Sequence, residues 1–215
     1  MEILVLDVNV EAGGSTGCIA IGERLMSLSP QVTVTHAHWR DTNHPLEAMG
    51  PTPDAVVLGP NSTPFPAYPE EFSEFLTWVR EYPHALLGIC GGHQVLALAH
   101  GATVGPVFDV PPATTSYEGM PKLKGPTRIT VSATSHPLFQ GLPPTLTLTA
   151  SHVDEVQTLP PSFSTLAGSA RCALQIISHN SRPQIGIQCH PERPLDTTDG
   201  GRLLRNWLAL MGCTT

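Results

Sequence analysis

The sequence predicts an α/β fold of three layers: a mostly parallel central sheet, helices on both faces, and an antiparallel β extension. Three observations point there. Runs at 2–8, 54–58 and 84–89 are apolar almost throughout and stop at glycine-containing turns, and an alternating run covers 32–38. Amphipathic helical patterns lie between runs. In the second half, five β-like segments follow one another with no long helix between them. Strands apolar on both faces need cover on both sides, which amphipathic crossover helices supply. Strands without such crossovers pair more simply antiparallel.

Taken in order, EILVLDV at 2–8 is the first strand and runs into a glycine-rich stretch. VTVTHAH at 32–38 alternates, so His36 and His38 share one face; a polar face near solvent is preferred to a metal-binding pair. DAVVL at 54–58 stops at Gly59-Pro60. Pro69 is expected to open a helix in which Phe72, Phe75, Leu76 and Val79 recur at i, i+3, i+4 and i+7, and Pro83 closes it. HALLGI at 84–89 meets Cys90-Gly91-Gly92. A helix then begins at Gly91 and carries Val95, Leu96 and Ala99 on one side. Residues 127–133, 145–150, 164–168, 173–178 and 184–189 form the β extension and the return to the main sheet. A last helix fits 198–211, with Leu204, Trp207, Leu208 and Met211 on one face and Asp199 or Thr198 as its cap. No internal repeat or linker divides the chain, so one domain over 1–215 is expected.

Composition narrows the function. Apolar residues make up 40% and charged residues 13% of the 215, too apolar for a disordered chain. No apolar run approaches the roughly 20 residues of a membrane span. The net charge is −7 with only 11 Lys and Arg, which argues against a nucleic-acid partner. The N-terminus lacks the basic region and long apolar stretch of a secretory signal. The five cysteines, Cys18, Cys90, Cys172, Cys189 and Cys213, are odd in number and widely spaced, without a CxxC pair. They suit neither a disulfide framework nor structural zinc, and a cytoplasmic setting is expected.

Three motifs carry chemistry. Gly88-Ile89-Cys90-Gly91-Gly92 joins an apolar strand to a helix in the form of a thiol nucleophile elbow. A sharp turn there strains the nucleophile's backbone and requires small neighbours. It also sets Cys90 at a helix N-terminus, where the dipole favours thiolate. A cysteine alone is more often a small core residue, but the strand–Cys–helix context favours the nucleophile. His190-Pro191-Glu192 follows the run at 184–189. His190 would stand at a carboxyl strand end, on the same rim as Cys90, with Glu192 holding one ring nitrogen. The simpler reading, a solvated loop, is outweighed by the presence of Cys90. Third, Leu58-Gly59-Pro60-Asn61-Ser62 also follows a strand. The N–H groups of Gly59 and Gly91 are the natural donors to an oxyanion, although Gly59-Pro60 alone reads as an ordinary turn.

Together these motifs resemble the class I (triad) glutamine amidotransferases. The matching residues are Gly88-Ile-Cys-Gly-Gly-His-Gln94, Gly186-Ile-Gln-Cys-His-Pro-Glu192 and the loop at Gly59-Pro60. Ser151-His-Val-Asp-Glu-Val156 and Leu159-Pro-Pro161 resemble the glutaminase domain of GMP synthase and its stand-alone relatives. The resemblance spans about residues 2–211. It implies Cys90 as nucleophile, His190 as general base and acid, and Glu192 as orienting carboxylate. Gly59 and Gly91 match oxyanion-hole positions; Gln94, Ser151 and His152 match positions that hold the ends of glutamine. No cofactor and no metal are implied.

Two departures stand out. Leu58 replaces a family glycine, which predicts a narrower oxyanion hole or one completed by a partner. Cys189 precedes the triad histidine, where the family has an aromatic or apolar residue, and is expected to pack away from it. Gly13-Gly14-Ser15-Thr16-Gly17 lacks a P-loop lysine and the spacing of a nucleotide-binding loop. No ATP-pyrophosphatase motif or fused synthetase is expected. Three roles remain open: a glutaminase supplying ammonia to a separate synthetase, a stand-alone hydrolase of γ-glutamyl amides or peptides, or a catalytically silent binding or regulatory relative.

Overall fold

The computed structural model describes residues 1–43, 52–109, 115–194 and 199–213. The first strand, β1 (Glu2–Asp7), pairs in parallel with β2 (Thr33–His38) and β3 (Ala55–Leu58); β3 pairs in parallel with β4 (Ala85–Ile89). The next neighbour of β4 is not the following strand but β11 (Gln184–Ile187), also parallel. The antiparallel strands β10 (Ile176–His179), β9 (Phe163–Gly168), β6 (Leu123–Val131) and β7 (Thr145–His152) extend the same sheet, giving the order β2-β1-β3-β4-β11-β10-β9-β6-β7. A separate two-stranded sheet joins β5 (Val104–Pro106) to β8 (Asp154–Val156), a pairing the sequence patterns do not announce. No helix among the described residues is long and apolar enough to cross a membrane.

The apolar runs fill two cores because strand side chains alternate between faces. Ile3, Val5, Val57, Leu87 and Ile187 pack under helices α1 (Thr16–Leu28) and α4 (Asp199–Leu210). Leu4, Leu6, Val56, Leu58 and Leu86 pack under α2 (Phe72–Glu81) and α3 (Gly91–Ala99). Each fully buried Leu or Ile contributes about 1.5–3 kcal/mol of hydrophobic stabilisation.

Helix α1 has no counterpart in the sequence reading. Its buried face, Cys18, Ile21, Gly22, Leu25 and Leu28, has helical spacing, and the Ser15 side chain caps it by accepting the Cys18 N–H at 3.4 Å. The glycines obscured it, since each disfavours an isolated helix by about 1 kcal/mol. In the fold they permit close approach: a Cβ on Gly17 would strike Pro60, and one on Gly22 would meet His36.

Other boundaries shift for local reasons. The helix expected from Pro69 begins at Phe72, because residues 69–74 first turn through i→i+3 bonds such as Phe72 N–H to Pro69 O. Asp199 opens α4, and its carboxylate accepts the Thr147 N–H of β7 at 2.8 Å; Thr198 lies outside the described residues. The His36–His38 pair divides, since His36 is exposed while His38 is buried and bonded through Nε2 to Asn9 O at 2.8 Å. Burial of His38 overturns the expected solvent-facing pair: the segment that follows β1 brings Asn9 over it. No group of three or more metal-binding side chains is found among the described residues.

Candidate active site

The elbow comes first. Cys90 has φ 55 and ψ −107, the one non-glycine with positive φ among the described residues. That conformation is held by flanking bonds: Cys90 N–H donates to Ile187 O at 2.8 Å, and Gln94 N–H to Cys90 O at 3.2 Å. Strain of this kind persists only where the surroundings over-determine it. The neighbours have no room for a side chain. A Cβ on Gly88 would collide with the backbone of Gly92 and His93, and one on Gly92 with the Leu58 carbonyl. Gly92→Ala is therefore expected to push α3 off β3 at a cost of about 3 kcal/mol. Thermal unfolding followed by circular dichroism should show a fall of about 6–12 °C; a fall of less than about 2 °C would mean the elbow has slack.

Because β4 and β11 are parallel neighbours, with Ile89 opposite Ile187, their carboxyl ends emerge side by side. Cys90 leaves one and His190 follows the other by three residues. The extension then curls back, so that β7, last in the strand order, reaches His190: the His190 N–H donates to Thr149 O at 2.8 Å. His190 Nδ1 lies 2.7 Å from Glu192 Oε1, and both side chains are 1% exposed. Among the described residues, Nε2 has no hydrogen-bond partner, and Cys90 lines the same cavity as His190. Burial alone would lower the His190 pKa. Its contacts with Cys90, and then the hydrogen bond and charge of Glu192, outweigh that and raise it from the ordinary 6.5 to about 9.

One cavity of about 770 Å³ contains Cys90, Gln94, Ser151, His152 and His190. Gln94 is buried; its Nε2 donates to Asp154 O at 2.6 Å and to Gln188 Oε1 at 3.1 Å, which leaves its own Oε1 unpartnered among the described residues. The Ser151 carbonyl lies 4.0 Å from Cys90 Sγ. His152 donates to Asp154 O through Nδ1 at 2.9 Å and leaves Nε2 without a partner among the described residues; burial, and then the charge of His190, lower its pKa to about 4.

Gly59 does not have the free donor expected of it. Its N–H is given to Leu6 O at 2.9 Å, which continues the β1–β3 ladder past the strand end. Ser62 N–H is also taken, by Asn9 Oδ1 at 2.9 Å. Pro60 has none, so Asn61 carries the N–H of this turn without a partner among the described residues, beside Gly91. Gly91 N–H, at the first position of α3, has no intrahelical partner. Leu58 does not narrow this region: its side chain is fully buried in the α2/α3 core. Cys189 packs in the opposite core, 3.3 Å from Gln175 Oε1.

Several lining groups escaped the sequence reading. The glycine-rich stretch 13–17 forms one wall of the cavity. Tyr117 closes another and donates to Asp154 Oδ2 at 2.5 Å. Behind the lining, His93 is fully buried against Gly186, and its pKa is lowered to about 3 by burial and then by the charge of His152. Gly186 inside a strand was the available signal, since such a glycine marks a close approach.

The family model for class-I glutamine amidotransferases matches residues 18–210. The chain belongs to that family. This amidotransferase is 30% identical to a subunit of the glutamine-hydrolyzing GMP synthase of Methanothermobacter thermautotrophicus, over 75% of this chain and 76% of the relative. It is 37% identical to the protein of the same name from Methanosarcina acetivorans, over 76% and 77%. A Thermoplasma acidophilum crystal structure, provisionally described as the corresponding GMP synthase subunit, superposes with a TM-score of 0.70 at 26% identity, covering 99% of this chain and 94% of that one. A glutamine amidotransferase from Thermotoga maritima, 19% identical, shares the fold at a TM-score of 0.65 over 97% and 81%.

Proposed function

We propose that this amidotransferase hydrolyses the side-chain amide of glutamine and passes the ammonia to a separate, GMP synthase-like synthetase in the cytoplasm, working as one glutaminase domain. The observation that carries the reading is Cys90, strained at the elbow, in one cavity with a His190 whose Nδ1 is held by Glu192 and whose Nε2 is left over. Similarity to the glutamine-hydrolyzing GMP synthase subunits supports the choice of substrate and partner.

In this mechanism the Cys90 thiol gives its proton to His190, the sulfur attacks the γ-carbonyl carbon, and the electron pair of the C=O moves to oxygen. The Gly91 N–H stabilises that oxyanion, and we assign the second donor to Asn61 in place of Gly59. Such a donor contributes about 3 kcal/mol. His190 then protonates the nitrogen, the oxyanion's electron pair re-forms the C=O as the C–N bond breaks, and ammonia departs to leave the γ-glutamyl thioester. Water, deprotonated by His190, attacks the γ-glutamyl thioester and releases glutamate, and the proton returns the sulfur to its starting state. Glu192 keeps the imidazole oriented and favours its charged form. Gln94 Oε1 and His152 Nε2, both acceptors here, are assigned to the α-amino end of the substrate and the Ser151 segment to its α-carboxylate.

A second reading, hydrolysis of γ-glutamyl amides or peptides, is favoured by the cavity's extension to residues 13–17, which leaves room for a leaving group larger than ammonia. Incubation of the pure protein with glutamine should yield ammonia and glutamate in equal amounts, and with an ATP-dependent amidating enzyme and its acceptor present glutamate should form while ammonia is consumed. Turnover of γ-glutamyl peptides alone would select the second reading. No turnover, with no labelling of Cys90 by a glutamine-like electrophile, would leave a binding or regulatory relative.

A further inference from the structure

We infer that Gln188 is a dedicated hydrogen-bond donor to the Cys90 sulfur, aimed by a relay that starts at the Asp154 backbone carbonyl. This rests on Cys90 being the nucleophile. Gln188 is fully buried, immediately after β11, and its Nε2 lies 3.9 Å from Cys90 Sγ. A primary amide presents a donor at one end and an acceptor at the other, so its orientation must be fixed by its partners. Here the partners leave one solution. The carbonyl of Asp154 can only accept, so Gln94 turns its NH2 toward it. That same NH2 reaches Gln188, so Gln188 must present Oε1 to it at 3.1 Å. The NH2 of Gln188 is then left facing the sulfur. A buried donor is worth most when its acceptor is charged, so Gln188 favours the thiolate. It also keeps the sulfur in place while His190 turns to the leaving nitrogen. The relay further places Gln94 Oε1, one of the unpartnered atoms in the cavity among the described residues, two amides from the nucleophile.

The test measures Cys90 alkylation by iodoacetamide at neutral pH, read by mass spectrometry of the Cys90 peptide, in wild type, Gln188→Met and Gln188→Glu. Methionine keeps the volume and removes the donor; glutamate puts an acceptor in its place. Both are expected to slow alkylation, by about tenfold for methionine and more for glutamate. A site merely loosened by substitution would expose the buried thiol and speed the reaction, so the direction separates the two roles. Unchanged or faster alkylation in either folded variant overturns the proposal. Should neither variant fold, the Gln188 side-chain amide resonances of the wild type give the answer: they shift when Cys90 is alkylated, and their failure to move overturns it equally. Alkylation needs no glutamine, so a wild type that is alkylated but does not turn over glutamine removes the glutaminase reading and leaves this one standing.

Discussion

Cys90→Ala is expected to abolish glutamine-dependent ammonia release, lowering kcat by about 10⁴-fold or more, the scale seen when a nucleophile is removed from a triad. No other described thiol can replace it: Cys18, Cys172, Cys189 and Cys213 are buried, and none of them lines the cavity. Serine should be almost as inactive, because its hydroxyl ionises far less readily than a thiol at neutral pH. The fold should survive, since Cys90 is a small side chain and alanine adopts the same φ with comparable strain. Glutamine binding by calorimetry should therefore persist while ammonia release disappears. Ammonia release by a folded Cys90→Ala protein at more than a trace level would place the nucleophile elsewhere.

Glu192→Gln tests the other end of the relay. His190 is buried, which by itself favours its neutral form, yet contact with Cys90 and then Glu192 raise it to about 9. An amide in place of the carboxylate removes one of those charges and no longer specifies which ring nitrogen holds the proton. Loss of about 10³–10⁴-fold in kcat is expected near pH 7. The alkaline limb of kcat/KM, where His190 loses its proton, should move to lower pH by about 1 unit or more. Stability reports the same charge. A histidine whose folded pKa lies above its unfolded value stabilises the fold fully below about 6.5 and loses that contribution as pH rises through about 9. Melting temperatures of wild type should therefore fall across this window more steeply than those of Glu192→Gln. Parallel curves for the two proteins would show that the 2.7 Å contact carries no charge coupling.

Much of the architecture is legible because both faces of the central strands are buried. β1, β3 and β4 read as unbroken apolar runs, and α2 declares itself through Phe72, Phe75, Leu76 and Val79. α1 was hidden by Gly17 and Gly22, whose role is contact with Pro60 and His36 rather than helix propensity. The β5–β8 pair escaped because each strand is three residues long and its partner lies far away in sequence.

The sequence by itself determined the α/β class and its antiparallel extension, the class-I amidotransferase motifs, and the residues Cys90, His190 and Glu192 as candidates for a triad. These follow from patterns within a few residues: apolar periodicity, glycines about a turn, a histidine two places from a carboxylate. Only the tertiary structure decided that β11 lies beside β4, that β7 curls round to His190, that Leu6 takes the Gly59 N–H and leaves Asn61 the free one, and that Asp154 orients two glutamines toward a sulfur. The reason is that a hydrogen bond belongs to two groups at once. The local chain specifies the donor or the acceptor, and the packing of distant strands chooses its partner.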